Sequence, residues 1–367
     1  MKEEKALTDH VIQSAKMFHG LTKQQIKELA YSFAKNKGKS IPNSWECNKA
    51  AGEDWLKGFR HGGNHISLRQ PEATSIARAM GFNPTTVKSF FDNIKQLFAE
   101  KGVIPPQNIW NLDETGISTV QKPRHVLAEK ECKQIGRITS AERGTTVTMC
   151  ACVNAIGNSI PPAFIFPRVF FKQDILIGAP EQSLGLSTKT GWMNSELFLQ
   201  VLGHFMKFMK VSKDCPGLLF MDNHGSHDVI NLARENGLSI ITFPPHCSHK
   251  LQPLDVSIYG PFKRFYASYC DSWMTGHPGS SISIHKVCRM AGQAYIRAFT
   301  MENIVSSFRA TGIYLFNQDI FPQDAFMGSL VTDIPLKHTD ADTEADLADK
   351  REECKECIIA LNLPSRP

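Results

Sequence analysis

The stretch LFMDNHGSH, Leu219 to His227, ends an apolar run on an aspartate and follows it with two histidines and a glycine. A buried strand that stops on a charge places that charge at the sheet's carboxyl rim, where α/β folds put their ligands. Working outward, the next apolar run is LSIITFPP (238–245), a strand closed by prolines, and after it Leu254, Ile258, Phe262 and Phe265 recur at helical spacing. Before it, NSELFLQVLGHFMKFMK (194–210) reads as an amphipathic helix. VTMCACVNAIGNSIPPAFIFP (147–167) reads as two strands joined by a turn at Ala155 to Ser159. NIWNLDETG (108–116) reads as a short strand reaching Asp113. Strands first, then helix and strand in alternation, imply an α/β sheet with helices on its faces.

Three acids fall at related places in this pattern. Asp113 is expected to end the first strand, Asp222 ends a later one, and Asp255 lies in the first turn of the helix after the next strand, where the helix dipole favours it. If all three meet, each like-charged pair at about 4 Å costs on the order of 4 kcal/mol at an effective dielectric of 20. A divalent cation offsets that repulsion. Oxygen-only carboxylate sites suit Mg²⁺ or Mn²⁺ rather than zinc, and a pair of such ions supports phosphodiester displacement. The competing reading of each aspartate alone is a turn former or helix cap.

The chain upstream has a different character. LTKQQIKELAYSFAKNKG (21–38) carries an apolar stripe, with Thr22 placed to cap a helix and Gly38 to stop it. NKAAGEDWLKGFRHGG (48–63) sets Ala51, Trp55, Leu56 and Phe59 on one face, with Lys49, Lys57 and Arg60 among its polar positions. A third helix is expected from Pro71 and a fourth from Asn83-Pro84, a cap followed by the residue best tolerated at the first helical position. The fourth has Val87, Phe90, Phe91, Ile94, Leu97 and Phe98 as its stripe. KGVIPPQ (101–107) then reads as a linker. Small helical units with basic outer faces can enter a DNA groove, and they also build ordinary bundles.

At 367 residues and 42% hydrophobic content the chain can bury a large core. No run of roughly 18 apolar residues is present to span a bilayer, and the first residues lack the apolar centre of a secretory signal. No membrane partner is expected, and the location is cytosolic or nuclear. The ten cysteines are expected as reduced thiols, and the one CxxC, Cys354 to Cys357, has no second pair to make a zinc site. Net charge is only +5, but residues 1–105 carry 16 Lys+Arg against 10 Asp+Glu, whereas 336–367 carry 5 against 8. The basic end could face phosphate; the tail from Thr332 is charged, poor in aromatics and expected to be mobile.

NIWNLDETG, LLFMDNHGSH and PPHCSHKLQPLDVSIYGPFKRFY resemble the three acidic blocks of the pogo/Tigger group of DNA transposases and their domesticated relatives, the jerky-like and centromere-protein-B-like proteins. ITSAERGTTVTMCACVNAIGNSIPPAFIFPR and ENIVSSFRATGIYLFNQDIF resemble further blocks of the core. WLKGFRHGGNHISLRQPEATSIARAMGFN resembles the end of a helix-turn-helix of the centromere-protein-B type and the segment after it. The resemblance covers roughly residues 10 to 325. It implies an α/β fold: a ribonuclease-H-like catalytic core preceded by a small all-helical helix-turn-helix domain. It also implies a DDD triad of Asp113, Asp222 and Asp255, with Mg²⁺ or Mn²⁺ as cofactor, double-stranded DNA as partner, a nuclear location, and a homodimer as one form. The boundaries it suggests are 1–70 for the helix-turn-helix domain, 71–106 for a helical linker, 107–330 for the core and 331–367 for an acidic tail. Members commonly begin with another helix-turn-helix, of the pipsqueak type, expected before LTDHVIQSAK. RHGG after Phe59 is less basic than the cluster often found there.

Around the triad, Lys49, Lys57, Arg60, Arg143, Lys263 and Arg264 are the candidates to meet DNA, with Arg137 and Lys250 also flanking the acidic blocks. The two HxxH patterns, His224 with His227 and His246 with His249, are weak metal signals, and the resemblance, which makes DNHGSH part of the second acidic block, implies that His224 and His227 orient the aspartate or approach a phosphate. Glu114 should point away from Asp113 by strand alternation. Trp110 and Trp192 are expected in the core. The reading is a transposase-derived protein that cuts and joins DNA with divalent metal. The alternatives are a domesticated DNA-binding protein without catalysis, and a fragment with no DNA function.

Overall fold

A computed structural model describes residues 2–62, 66–123, 126–130, 134–222 and 227–332. The acidic tail and the Cys354–Cys357 pair lie outside the described residues. Helices α1 (Lys2–Lys16), α2 (Lys23–Asn36), α3 (Asn43–Asn48), α4 (Glu53–His61), α5 (Ile76–Gly81) and α6 (Pro84–Lys101) precede the sheet. Strands β1 (Ile109–Ser118), β2 (Thr146–Asn154), β3 (Ser159–Pro167) and β4 (Leu184–Thr188) follow, then α7 (Ser195–Met209), β5 (Gly217–Met221), α8 (His227–Glu235) and β6 (Leu238–Thr242). The chain then runs through α9 (Ser248–Leu251), α10 (Tyr259–Gly276), α11 (Ile284–Ala298), α12 (Met301–Ala310) and α13 (Met327–Thr332).

The strands form one sheet in the order β4-β3-β2-β1-β5-β6. β1, β2 and β3 make an antiparallel meander, while β5 pairs parallel to β1 and β6 parallel to β5. Three antiparallel strands followed by two parallel ones joined through a helix is the ribonuclease-H-like arrangement; β4 extends it by pairing parallel to β3. Alternation gives each face its own core. Val147, Met149, Ala151 and Val153 of β2 join Phe220 of β5 and Phe262 of α10 on one face, whereas Cys150 and Cys152 meet Phe198, Val201 and Phe205 of α7 on the other. Both faces are covered, which suits the near-continuous apolar runs of β2 and β5.

α6 is built as its sequence dictates. The Asn83 side chain accepts from Thr86 N, Pro84 stands in the first turn, and Gly102 ends the helix at a φ of +77°. Its stripe Val87, Phe90, Phe91 and Ile94 is part of the sheet's core, with the Phe90 ring 6.1 Å from Phe220 and 5.6 Å from Phe243. Ile104 of the expected linker is buried there too. The first four helices have a separate small core of Leu7, Ala30, Ala51, Leu56 and Phe59. Thr22 caps α2 in a full capping box with Gln25, and Gly38 follows the helix in a left-handed conformation.

Several expectations are corrected. β1 does not end at Asp113, because its ladder to β2 continues through Gly116–Thr148 to Ser118–Thr146; Asp113 sits in mid-strand. The third helix starts at Ile76 rather than Pro71, since Ser75 supplies the cap by accepting from Arg78 N. Trp192 is 65% exposed in the turn after β4, whereas Trp110 is buried. The short α3 and β4 carry too little periodicity to stand out in the sequence. The cysteines among the described residues are unpaired.

Candidate active site

β1 and β5 lie side by side in parallel, with Asn111 opposite Phe220, so the chain leaving β5 brings Asp222 level with Asp113. Asp113 shares its face with Ile109 and Ile117; Glu114 faces the other way, opposite Cys150. Small Ala151 opposite Asp113 leaves room beside the carboxylate. Asp255 reaches the same rim from a π-helical turn, Leu254–Ile258, that leads into α10.

Two side chains that the sequence reading passed over hold this arrangement. Asn111 is wholly buried, donates from Nδ2 to Phe220 O at 3.0 Å and accepts at Oδ1 from Leu254 N at 3.0 Å. One amide therefore ties together the strands and turn that carry the three acids. Tyr259 adds a second tie, its hydroxyl donating to Asp113 O at 2.7 Å. Ser248 in α9 donates to Asp222, 2.9 Å from Oδ1 and 3.2 Å from Oδ2. Asn111 had a legible signal, since it lies two residues from Asp113 and must share its face.

The acids feel one another. Burial drives the Asp113 pKa well above the usual carboxylate range, and the charges of Asp255 and Asp222 push it further. Burial also raises Asp255, with Asp222 adding to the effect and Lys263 and Arg78 opposing it. Among the described residues no group of three or more His, Cys, Asp or Glu side chains is gathered closely enough to hold a metal ion. The acids are thus neighbours in one field rather than a closed ligand set. They fit a divalent cation in two respects. The donors are carboxylate oxygens that repel each other, and beside Asp113 stands a buried amide, Gln252, that lacks hydrogen-bond partners. Gln252 is 0% exposed and favours the charged form of Asp113, yet neither its Nε2 nor its Oε1 reaches a partner in hydrogen-bond geometry. Leaving such a group unpaired costs about 1–3 kcal/mol.

The basic candidates fall in different places. Lys263 lies near enough to Asp255 to favour its ionised form, and so does Arg78 of α5, which the sequence reading did not select. α5 is braced against the third acid's loop: Cys247 Sγ donates to Gly81 O, and a Cβ on Gly81 would stand 2.9 Å from Pro245 O. Arg143 lines a cleft at the far end of β1 with Arg168, Ser281 and Ser283. Arg137 pairs with Asp271 at 3.3 Å, and Arg264 is exposed on α10. Lys49 is drawn to Glu46 at 3.2 Å and to the Tyr31 hydroxyl, and Lys57 pairs with Asp54 at 3.3 Å. The Tyr31 hydroxyl, Lys49 and Lys35 hold the Glu46 pKa down to about 2. Arg60 lies in the last turn of α4. His249 packs edge-on against Phe82 at 5.9 Å, and burial lowers its pKa. His227 opens α8, while His224 lies outside the described residues.

Residues 142–308 match the DDE superfamily endonuclease family, a span that takes in Asp222 and Asp255 and begins after Asp113. The chain is 28% identical over 256 residues to a protein of Cochliobolus lunatus named MFS-type transporter clz9, covering 67% of this chain and 27% of that protein. It is 22% identical over 344 residues to CENP-B homolog protein 2 of Schizosaccharomyces pombe, covering 81% of this chain and 62% of that protein. The chain thus spans about a quarter of the first relative's length and under two thirds of the second's. No described helix is long and apolar enough to cross a membrane. Among solved structures, the Mos1 mariner paired end complex with Mn has a TM-score of 0.41 at 12% identity, and the Mos1 strand transfer complex 0.38 at 12%, each covering 79% of this chain and 80% of that one. The fold assignment rests on strand order, not on these likenesses. Residues 142–308 are thus similar to the DDE superfamily endonucleases, and most of the chain is similar to a CENP-B homolog.

Proposed function

We propose that this chain is a divalent-cation-dependent DNA endonuclease and strand-transfer protein, with Asp113, Asp222 and Asp255 as its catalytic acids. The observation that supports the reading is the approach of three acid-bearing segments beside the end of β5: the middle of β1, the chain leaving β5, and the turn before α10 that Asn111 and Tyr259 tie to β1. Drawn closer together by the ion's charge, these three residues would hold Mg²⁺ or Mn²⁺. When bound, such ions activate a water or a 3′-hydroxyl and stabilise the leaving oxygen of a phosphodiester. The protein's own part is placement. Asn111 and Tyr259 fix the strands and the turn, and Ser248 orients the Asp222 carboxylate. Lys263 and Arg78 beside Asp255 offer positive charge to a DNA phosphate that the acids alone would repel.

The helices before the sheet suit the DNA-recognition part of this reading, with residues 1–70 as the DNA-binding domain, 71–106 as the linker, 107–330 as the core, and Lys57 and Arg60 on the surface that meets DNA. A nuclear location belongs to the same reading, and the CENP-B homolog name of the S. pombe relative supports it. Purified protein should nick double-stranded DNA carrying the element's terminal repeats when Mg²⁺ or Mn²⁺ is added. Asp113→Asn, Asp222→Asn and Asp255→Asn should each reduce nicking by at least about 10³-fold, the loss expected for a group essential to the chemical step. Nicking that persists unchanged in all three variants would overturn the reading.

A further inference from the structure

Gln252 stands three residues before Asp255, and its side chain is wholly buried, yet its amide nitrogen and its carbonyl oxygen both lack hydrogen-bond partners. Buried polar groups are almost always satisfied, so an orphaned amide marks a place where a partner arrives later or where strain is held for function. Its surroundings identify that place. The following residues are docked on β1 by Leu254 N donating to Asn111 Oδ1, two residues from Asp113 on the same face. The neighbouring Asn111 provides a contrast, since the same amide chemistry there is satisfied at both ends. Gln252 does not brace the fold by hydrogen bonds as Asn111 does.

We propose that Gln252 is the positioning residue for Asp113 in the cation-loaded site: its amide N–H donates to the Asp113 carboxylate and fixes which oxygen turns toward the ion. This inference rests on the metal-dependent reading given above. One carboxylate oxygen of Asp113 serves the ion and the other takes a donor, and the wholly buried, unpartnered Gln252 amide, in the segment that Leu254 N docks on β1, is the group placed to supply it. Outer partners of this kind orient a ligand and typically contribute 10–100-fold to metal affinity.

The test compares Gln252→Met and Gln252→Leu with wild type and with Asp222→Asn, all as the full chain, by Mn²⁺ titration calorimetry and by thermal melting without metal. The inference expects Mn²⁺ affinity to fall about 10–100-fold in both Gln252 variants. It also expects the metal-free melting temperature to hold or rise, because an unpaired buried amide has been replaced by an apolar group of similar length. Wild-type Mn²⁺ affinity in both variants, with binding lost in Asp222→Asn, would overturn the role of Gln252 and leave the catalytic reading intact. A lowered metal-free melting temperature in both would assign Gln252 a structural role and overturn the inference as well. Absence of Mn²⁺ binding in wild type would overturn the inference and the catalytic reading together.

Discussion

Asp113 shows what burying an acid beside two others costs. Its folded-state pKa lies above its unfolded value because burial and then the charges of Asp255 and Asp222 disfavour ionisation. A carboxylate shifted in this sense contributes stability that is full below the unfolded value near 4 and is lost as pH rises through the folded value. Metal-free protein should therefore lose stability from this site as pH rises from acid toward neutral. Asp113→Asn should flatten that limb and be more stable than wild type at pH 7, by on the order of 1–3 kcal/mol. Thermal melts of both proteins between pH 5 and 8 check this, and a variant that melts lower than wild type throughout would argue against the strained-acid account. Added Mn²⁺ should narrow the difference by supplying the missing positive charge.

The elements that deliver the acids depend on a few polar ties. Asn111→Leu would leave Phe220 O and Leu254 N without their partner in a fully buried position, at about 1–3 kcal/mol for each group. A urea melt should place the loss near 2–6 kcal/mol, while a surface change such as Lys88→Ala should fall within about 0.5 kcal/mol. Much of this architecture was legible in the sequence. Apolar runs bounded by turn residues and prolines marked β2, β3, β5 and β6, and Asn83-Pro84 and Thr22 marked helix starts that the structure keeps. The mid-strand place of Asp113 was hidden, because the residues after it, ETGIS, lack a strong strand signature and are held in β1 by their ladder to β2. Gln252 and Tyr259 could not be singled out, since their roles come from a turn folding back on a strand more than a hundred residues earlier. Arg78 was hidden for a similar reason: α5 meets the third acid's loop only through tertiary packing.

At the scale of the whole molecule, the helix expected within a linker belongs with the sheet. Phe90, Phe91 and Ile94 of α6 pack among Phe220, Phe243 and Ile109. A chain begun at residue 107 would expose that surface and should aggregate, whereas one begun at residue 71 should remain soluble and melt cooperatively; light scattering beside calorimetry separates the two. Ties also run from the end of the first helix to the last described one and the turn leading into it, where Lys16 pairs with Asp324 and the Phe18 ring lies against Gly328. If the first helices carry DNA to the acids, Lys57→Ala and Arg60→Ala should each weaken binding and lower the slope of log affinity against log salt by about 1. Unchanged slopes would remove that face from the interface. The central claim, that residues brought from three separate segments serve one cation, is tested most directly by replacing Mg²⁺ with Fe²⁺ and mapping ascorbate-driven cleavage of the polypeptide. The account predicts cuts clustered near residues 113, 222 and 255 together, suppressed by excess Mg²⁺ and absent in Asp222→Asn. Cuts confined to one segment, or scattered without regard to Mg²⁺, would contradict it.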